Sequence, residues 1–171
     1  MTMMAVPDRT EAAEYFFTYI DQVVGTDICW TLDEQLVATA AFLEGISEEQ
    51  SLTRYAPGKW SRREVLSHVN DTERAFVFRT MCFARGLKDP LPGFDGDTGV
   101  AGAHADARSW RSHVEEFRNV RRATLDLFQG LSSEAWMRRG VAGGNPFTVR
   151  ALAFITAGHV THHMKILRER Y

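Results

Sequence analysis

The chain has 171 residues, with 20 Lys and Arg against 22 Asp and Glu, and a net charge of −2 at pH 7. That length suggests one domain, and a composition of 44% apolar and 25% charged residues excludes a disordered chain, a collagen-like repeat and a disulfide scaffold. The balanced charge argues against a nucleic-acid-binding protein, which normally carries a basic excess.

The cysteine content and the absence of long apolar runs indicate the cellular compartment of the protein. Cys29 and Cys82 both lie in apolar stretches, where a free cysteine behaves as a small buried hydrophobe, and so few cysteines fit a reducing compartment. Residues 1–7 have neither the basic start nor the apolar core of a signal peptide. No apolar run approaches the roughly 20 residues that span a bilayer. We therefore expect a cytoplasmic protein without a membrane partner.

In the first half of the chain, apolar residues spaced by three or four predict three helices. A short helix is expected at about residues 11–24, where Gly25 ends it, and a second at about 31–43, where Gly45 and the polar cluster 47–50 end it. Ser61, followed three residues later by Glu64, has the pattern of a capping box. It predicts a third helix that runs to about residue 85.

In the second half, the segment 86–105 is rich in Gly and Pro and is expected to be a long irregular loop, a type that is often functional. Helices are predicted at about 106–129 and 148–168. Residues 132–134 start one further helical turn, and 140–146 form a glycine-rich connection. No segment alternates as a strand should. The fold class is therefore all-α, a four-helix bundle over residues 28–171 with an N-terminal segment and short helix over 1–27 packed on it.

Histidines provide the strongest functional signal. His159 and His163 are four residues apart, so they lie one turn apart on one helical face, and both fall on the apolar stripe of the last helix. His68 falls on the inward stripe of another helix. Three imidazoles from two helices can bind one divalent metal and leave a coordination position open, as catalytic sites do. From spacing alone, a hydrogen-bonded core histidine is an equally good interpretation of each.

The remaining histidines and several charged residues are secondary candidates. His162 lies at the edge of the stripe, His104 lies in the long loop, and His113 lies off its stripe and is expected to be solvated. Glu64 or Asp71 is a candidate to accept a hydrogen bond from His68, although the capping box already uses Glu64. Two arginines also fall on inward stripes and need carboxylate partners; they are Arg79 and Arg121, with Glu73 and Asp126 as candidates.

Two segments resemble signatures of the DinB-like superfamily. Residues 58–68 read GKWSRREVLSH, which is similar to the pattern GKWSxxEVLxH, and residues 158–163 read GHVTHH, which is similar to GHxxHH. The segments 90–95 and 138–140 are also similar, and the resemblance covers about residues 28–171. It implies a four-helix bundle with a divalent metal, Zn²⁺ or Ni²⁺, bound by His68, His159 and His163, often in a homodimer. Some members use low-molecular-weight thiols, and others are assigned as metal-dependent hydrolases.

These features together predict a metal-dependent enzyme, a thiol-dependent S-transferase or a hydrolase, that acts on a small electrophilic molecule. A metal with an open position can activate a thiol or a water molecule, and the sequence does not decide between them or identify a general base. The alternative is a non-catalytic protein that binds a divalent metal or a small molecule. No phosphate-binding loop, serine nucleophile elbow or paired-cysteine motif competes with this interpretation.

Overall fold

Four long helices form the body of the protein. A computed structural model describes residues 5–23, 25 and 27–171. In chain order the helices are α1 (Phe17–Ile20), α2 (Ile28–Glu44), α3 (Glu48–Ser51), α4 (Arg62–Ala84), α5 (Gly96–Ala103), α6 (Trp110–Gln129) and α7 (Val149–Glu169). Helices α2 and α4 each pack against both α6 and α7, so the order around the bundle is α2, α6, α4, α7. The all-α four-helix bundle is confirmed.

Side-chain caps set where the long helices begin. Ser61 and Glu64 form the predicted capping box at the start of α4. Asp27 accepts a hydrogen bond from the backbone of Trp30 and starts α2 three residues earlier than predicted. Ser109 caps α6, so this helix begins four residues later than predicted, and residues 105–107 before it form a 3₁₀ turn. These shifts arise because more than one polar residue near each boundary can act as the cap.

Several short elements differ from the sequence prediction. The first predicted helix consists of a 3₁₀ turn, Glu14–Phe16, and the four-residue α1; its predicted last residue, Val24, and residues 1–4 lie outside the described residues. The cluster 47–50 does more than end α2, because Ser47 and Gln50 form a capping box that starts α3. The segment expected to be an irregular loop contains α5. The helical turn predicted from residue 132 is a 3₁₀ turn at Ala135–Met137.

The glycine-rich connection is a β-hairpin, so the expectation of no strand was wrong for this segment. Strand β1 (Arg139–Ala142) pairs antiparallel with β2 (Asn145–Thr148), with Ala142 opposite Asn145. Gly143 and Gly144 form the two-residue turn with φ of 56° and 77°, and turns of this kind need positive φ at both positions. Strands of four residues are too short to show alternation. The Gly-Gly pair was the available signal.

The core has two apolar halves separated by a polar layer. One half surrounds the first part of α7 and the hairpin, and includes Phe83, Phe128 and Phe147. The other half surrounds the last part of α7, and includes Leu66 and Phe117. Within the described part of the chain, no helix combines the length and the apolar character needed to cross a bilayer.

A buried ion pair lies at the centre of the polar layer. The Arg121 guanidinium donates to both Glu73 carboxylate oxygens at 2.8 Å, to Gln35 Oε1 at 2.7 Å and to the Leu32 carbonyl at 3.2 Å. Gln35 Nε2 in turn donates to Thr161 Oγ1 and to the backbone of α7, both at 2.9 Å. One set of hydrogen bonds therefore joins all four long helices.

The N-terminal segment crosses α7 at Gly158. A Cβ atom at this position would overlap the backbone carbonyl group of Tyr19, so only glycine permits the close approach. As a result the Tyr19 ring packs edge-on against two rings of the last helix, at 5.3 Å from His159 and 5.5 Å from His162 between centroids. The first glycine of the GHVTHH segment thus has a packing role.

Replacing Gly158 by alanine is expected to push α1 away from α7. Overpacking of this kind costs on the order of 1–3 kcal/mol, which urea unfolding measures. Gly102→Ala is the matched control, since no atom lies within 4 Å of the added Cβ and α5 should be unchanged or slightly more stable. Equal losses in the two variants would contradict the assigned contact.

Glu73→Gln is expected to leave the Arg121 charge buried without a carboxylate, at a cost on the order of 3–5 kcal/mol. The control is Glu169→Gln, which removes an exposed i, i+4 pair with Lys165 and should leave the free energy of unfolding nearly unchanged. Replacing both Glu73 and Arg121 by apolar residues should recover much of the loss in urea unfolding. A double variant less stable than Glu73→Gln would refute this account.

Candidate metal centre

The three predicted histidines meet at one point between α4 and α7. His68 comes from the second turn of α4, and His159 and His163 come from successive turns of α7. His159 Nε2 lies 3.2 Å from His68 Nε2 and 3.1 Å from His163 Nε2. One ligand atom from each residue lies within 4.8 Å of the other two. The structure therefore brings together every residue that the sequence proposed as a ligand.

The spacing of these nitrogen atoms suits a metal. In a tetrahedral site with metal–nitrogen bonds of about 2.0–2.1 Å, ligand nitrogens lie about 3.3 Å apart, close to the 3.2 Å and 3.1 Å that separate His159 Nε2 from the other two Nε2 atoms. Among the described residues, no carboxylate or thiol lies near enough to join the three imidazoles. A metal bound here would keep at least one position free for water or a substrate atom.

Burial keeps the three imidazoles neutral. Loss of solvation lowers the pKa of His68 to about 4. Burial and the neighbouring His68 lower the pKa of His163 to about 3, and burial together with both neighbours holds the pKa of His159 well below its usual range. A neutral imidazole offers its lone pair directly, so binding a metal at neutral pH displaces no proton from these ligands.

The cluster lines a cavity of about 470 Å³, within the size range of small-molecule sites. Its walls are aromatic rings and chain connections. The rings come from several elements and include Tyr19, Trp60 and Phe76, and the connections are residues 93–97 and the turn of the hairpin. The Trp60 ring lies 5.0 Å from the ring of His68.

The first residues of α5 cover His68. A Cβ atom at Gly96 would lie 2.8 Å from His68 Cε1, so a larger residue at this position would displace the His68 ring. Asp97, the next residue, acts on His68 through its negative charge, in the direction that raises the pKa, but desolvation outweighs it. The long connection predicted to be functional therefore does form part of the site. Nothing in the sequence marked these two residues individually.

The expected hydrogen-bond partners of His68 are wrong. Glu64 is held by the capping box and Asp71 pairs with Arg74 at 3.1 Å. The polar atom nearest to the other ring nitrogen of His68 is Thr72 Oγ1, at 3.4 Å from Nδ1. Residues 71 and 72 are both neighbours of residue 68 on the helix surface, but Asp71 contacts Arg74, whereas Thr72 contacts His68.

The other three histidines take no part in the cluster. His162 is half-buried and packs edge-on against His163, 5.1 Å between centroids, as its position at the edge of the stripe predicted. His104 is exposed. The expectation that His113 is solvated was wrong, because it is fully buried with Nε2 2.9 Å from the carbonyl of Ala105. The 3₁₀ turn at 105–107 covers it, and that turn was not predicted.

The two inward arginines have different surroundings. Arg121 pairs with Glu73, one of the two predicted candidates. Arg79 is equally inward, with 8% of its surface exposed, but it lines the cavity and neither Glu73 nor Asp126 pairs with it among the described residues.

A family model described as the DinB superfamily matches residues 31–167, and the chain belongs to this superfamily. The fold is similar to that of YfiT from Bacillus subtilis, described as a probable metal-dependent hydrolase with an unusual four-helix bundle topology. The TM-score is 0.73 at 16% identity, over 97% of this chain and 91% of YfiT. The resemblance that the two histidine motifs indicated is therefore confirmed.

A second similar structure is a mycothiol-dependent maleylpyruvate isomerase, with a TM-score of 0.66 at 14% identity. The match covers 81% of this chain and 58% of the isomerase. At these identities, the similarity to both structures shows the fold alone. No curated protein sequence gives a significant match.

The lowered pKa values predict a pH-dependent stability of the metal-free protein. Each imidazole binds a proton more tightly in the unfolded chain, with a pKa of about 6.5, than in the folded one. The contribution of the three neutral imidazoles to the free energy of unfolding is therefore fully present above about pH 6.5. It is lost progressively as the pH falls toward their pKa values in the folded protein. Urea midpoints measured between pH 7 and pH 4 should fall more steeply for the parent protein than for a His68→Gln, His159→Gln, His163→Gln variant.

The exposed His104→Gln variant is the control and should keep the parent slope. Parallel pH profiles for the parent protein and the triple variant would show that the cluster does not titrate as assigned.

Proposed function

We propose that this DinB-superfamily protein is a metal-dependent enzyme that acts on a small electrophilic molecule, as a thiol-dependent S-transferase or a hydrolase. His68, His159 and His163 would bind one divalent ion, Zn²⁺ or Ni²⁺. The observation that carries the proposal is the convergence of three neutral imidazole nitrogens within 4.8 Å of one another on the wall of a cavity of small-molecule size.

The proposed reaction chemistry follows from the three imidazole ligands and from the residues that line the cavity. His68, His159 and His163 would hold a divalent ion, and such an ion would lower the pKa of a thiol or water molecule at its free position. Trp60 and Phe76 keep water from two sides of the imidazoles, which strengthens every charge interaction inside the cavity. Burial raises the pKa of the Tyr19 phenol, so this group stays protonated and can donate a hydrogen bond to a bound molecule.

The nucleophile is either a thiol or water, and each has support. YfiT is described as a probable metal-dependent hydrolase, which supports water. The isomerase of similar fold depends on mycothiol, which supports a low-molecular-weight thiol. Reaction of the zinc-loaded protein with chlorodinitrobenzene, with and without added cysteine or glutathione, and with nitrophenyl acetate in the absence of thiol, separates these reactions.

Alanine at any of the three proposed ligands is expected to remove most of the bound metal, because two imidazoles alone bind a divalent ion weakly. Elemental analysis of purified His68→Ala, His159→Ala and His163→Ala, with folding checked by circular dichroism, tests this. His162→Ala is the matched control on the same helix and should keep its metal, since His162 lies outside the cluster. Full metal content in folded ligand variants would overturn the proposal.

Chelation is expected to abolish turnover and leave the helical signal intact. Apolar residues from all four long helices form the core, so the fold does not depend on the ion in the way that a zinc finger does. Turnover that persists after complete metal removal would contradict the enzyme proposal. Stoichiometric metal without turnover of any thiol or hydrolytic substrate would favour the alternative, a non-catalytic metal-binding or small-molecule-binding protein.

A further inference from the structure

Arg79 is a buried positive charge that pairs with no carboxylate among the described residues. Only 8% of its surface is exposed, and its one hydrogen bond to a described residue is long, 3.4 Å from Nη2 to the carbonyl of Pro92. Arg63 and Arg121 are also buried, and each pairs with a carboxylate, Glu48 and Glu73 respectively. A buried charge is costly unless it is paired. Arg79 therefore differs from the other two buried arginines, because no carboxylate among the described residues balances its charge.

Arg79 lies in the wall of the cavity that contains the histidine cluster. Arg79 lines this cavity on the same helix as His68, and its guanidinium carbon lies 5.8 Å from the centroid of Phe76. That centroid lies 5.9 Å from the centroid of His159. Because these two distances share the Phe76 ring, the guanidinium carbon is less than about 12 Å from the His159 ring. One small molecule can reach both.

The charges around the cavity indicate which group Arg79 would bind. Among the described residues that line this cavity, Arg79 is the only Lys or Arg. Asp95 and Asp97 also line the cavity, but both are exposed, Asp95 caps α5, and neither pairs with Arg79 among the described residues. A single planar guanidinium matches a carboxylate, which accepts two parallel hydrogen bonds from it. A phosphate dianion would call for further cations.

We propose that Arg79 binds a carboxylate of the substrate or of the thiol co-substrate, and that the reacting atom of that molecule lies at the histidine cluster. The ligand class is thus a small molecule with a carboxylate less than about 12 Å from its thiol or its electrophilic centre. The proposal deepens the function proposed above and rests on it for the reacting end. The contact between Arg79 and the carboxylate itself does not require a metal.

Calorimetry with metal-free protein tests the contact directly. Hexanoate is expected to bind at least about tenfold more tightly than hexanol, a difference of ~1.4 kcal/mol. Arg79→Gln should abolish that preference, Arg79→Lys should keep part of it, and Arg85→Gln, an exposed residue directly after the same helix, should leave it unchanged. Equal binding of hexanoate and hexanol, a preference that survives Arg79→Gln, or no binding of either compound at millimolar concentration would overturn the proposal.

Cobalt-loaded protein separates this proposal from the function on which it rests. Mercaptohexanoate is expected to produce a thiolate-to-cobalt absorption band at lower concentration than mercaptohexanol, with the difference lost in Arg79→Gln. A band that forms equally with both thiols would uphold the metal site and overturn the carboxylate subsite. A carboxylate preference in calorimetry with no band from either thiol would uphold the subsite and count against the metal-dependent reaction.

Steady-state kinetics with two pairs of substrates show whether the thiol or the electrophile carries the carboxylate. Mercaptohexanoate paired with chlorodinitrobenzene places the carboxylate on the thiol, and mercaptohexanol paired with bromohexanoate places it on the electrophile. In each reaction the thiolate sulfur forms a bond to carbon, and chloride or bromide leaves with the bonding electrons. The pair whose KM rises in Arg79→Gln identifies the carrier, and an unchanged KM in both pairs would overturn the proposal.

Discussion

The buried pair of Arg121 and Glu73 is the interaction on which the positions of the four helices depend. It joins α6 to α4 and separates two apolar halves of the core, and Gln35 on α2 extends it to Thr161 on α7. Apolar packing alone tolerates small sliding of one helix along another, whereas a buried charge with several directional partners does not. The pair therefore fixes the position of each helix along the bundle axis relative to its neighbours, at the cost of removing two charges from water.

The same relative position of the helices brings the three histidines of the cluster together. Thr161 lies between His159 and His163 on α7, and Glu73 lies just over one turn beyond His68 on α4. The same hydrogen bonds that fix α7 against α4 therefore fix the imidazoles against one another. The cost of burying three imidazoles is reduced because they are neutral, and because the two close contacts within the cluster join nitrogen atoms that can share a proton or a metal.

Most of the helical framework follows from the sequence, and much of the site wall does not. The capping box at Ser61 and the stripes that contain His68, His159 and His163 are local patterns with periods set by helix geometry, and these were predicted. The hairpin at 139–148, the burial of His113 and the approach of Gly96 to His68 depend on which distant segments meet. The choice of Glu73 over Asp126 as the partner of Arg121 was likewise a matter of helix packing, which no single segment encodes.

The imidazoles lie on helices, whereas the connections between helices close the cavity. This arrangement affects how sequences of this family can diverge. Insertions and substitutions at the tip of the hairpin, or at positions of the 86–105 segment that do not contact His68, change the shape of the cavity without moving the three nitrogen atoms. Natural variation, or a library confined to these loops, can therefore explore new ligands while the three histidines keep their positions. Relatives that share the two histidine motifs should accordingly differ most in the residues that line the cavity and least in the geometry of the cluster.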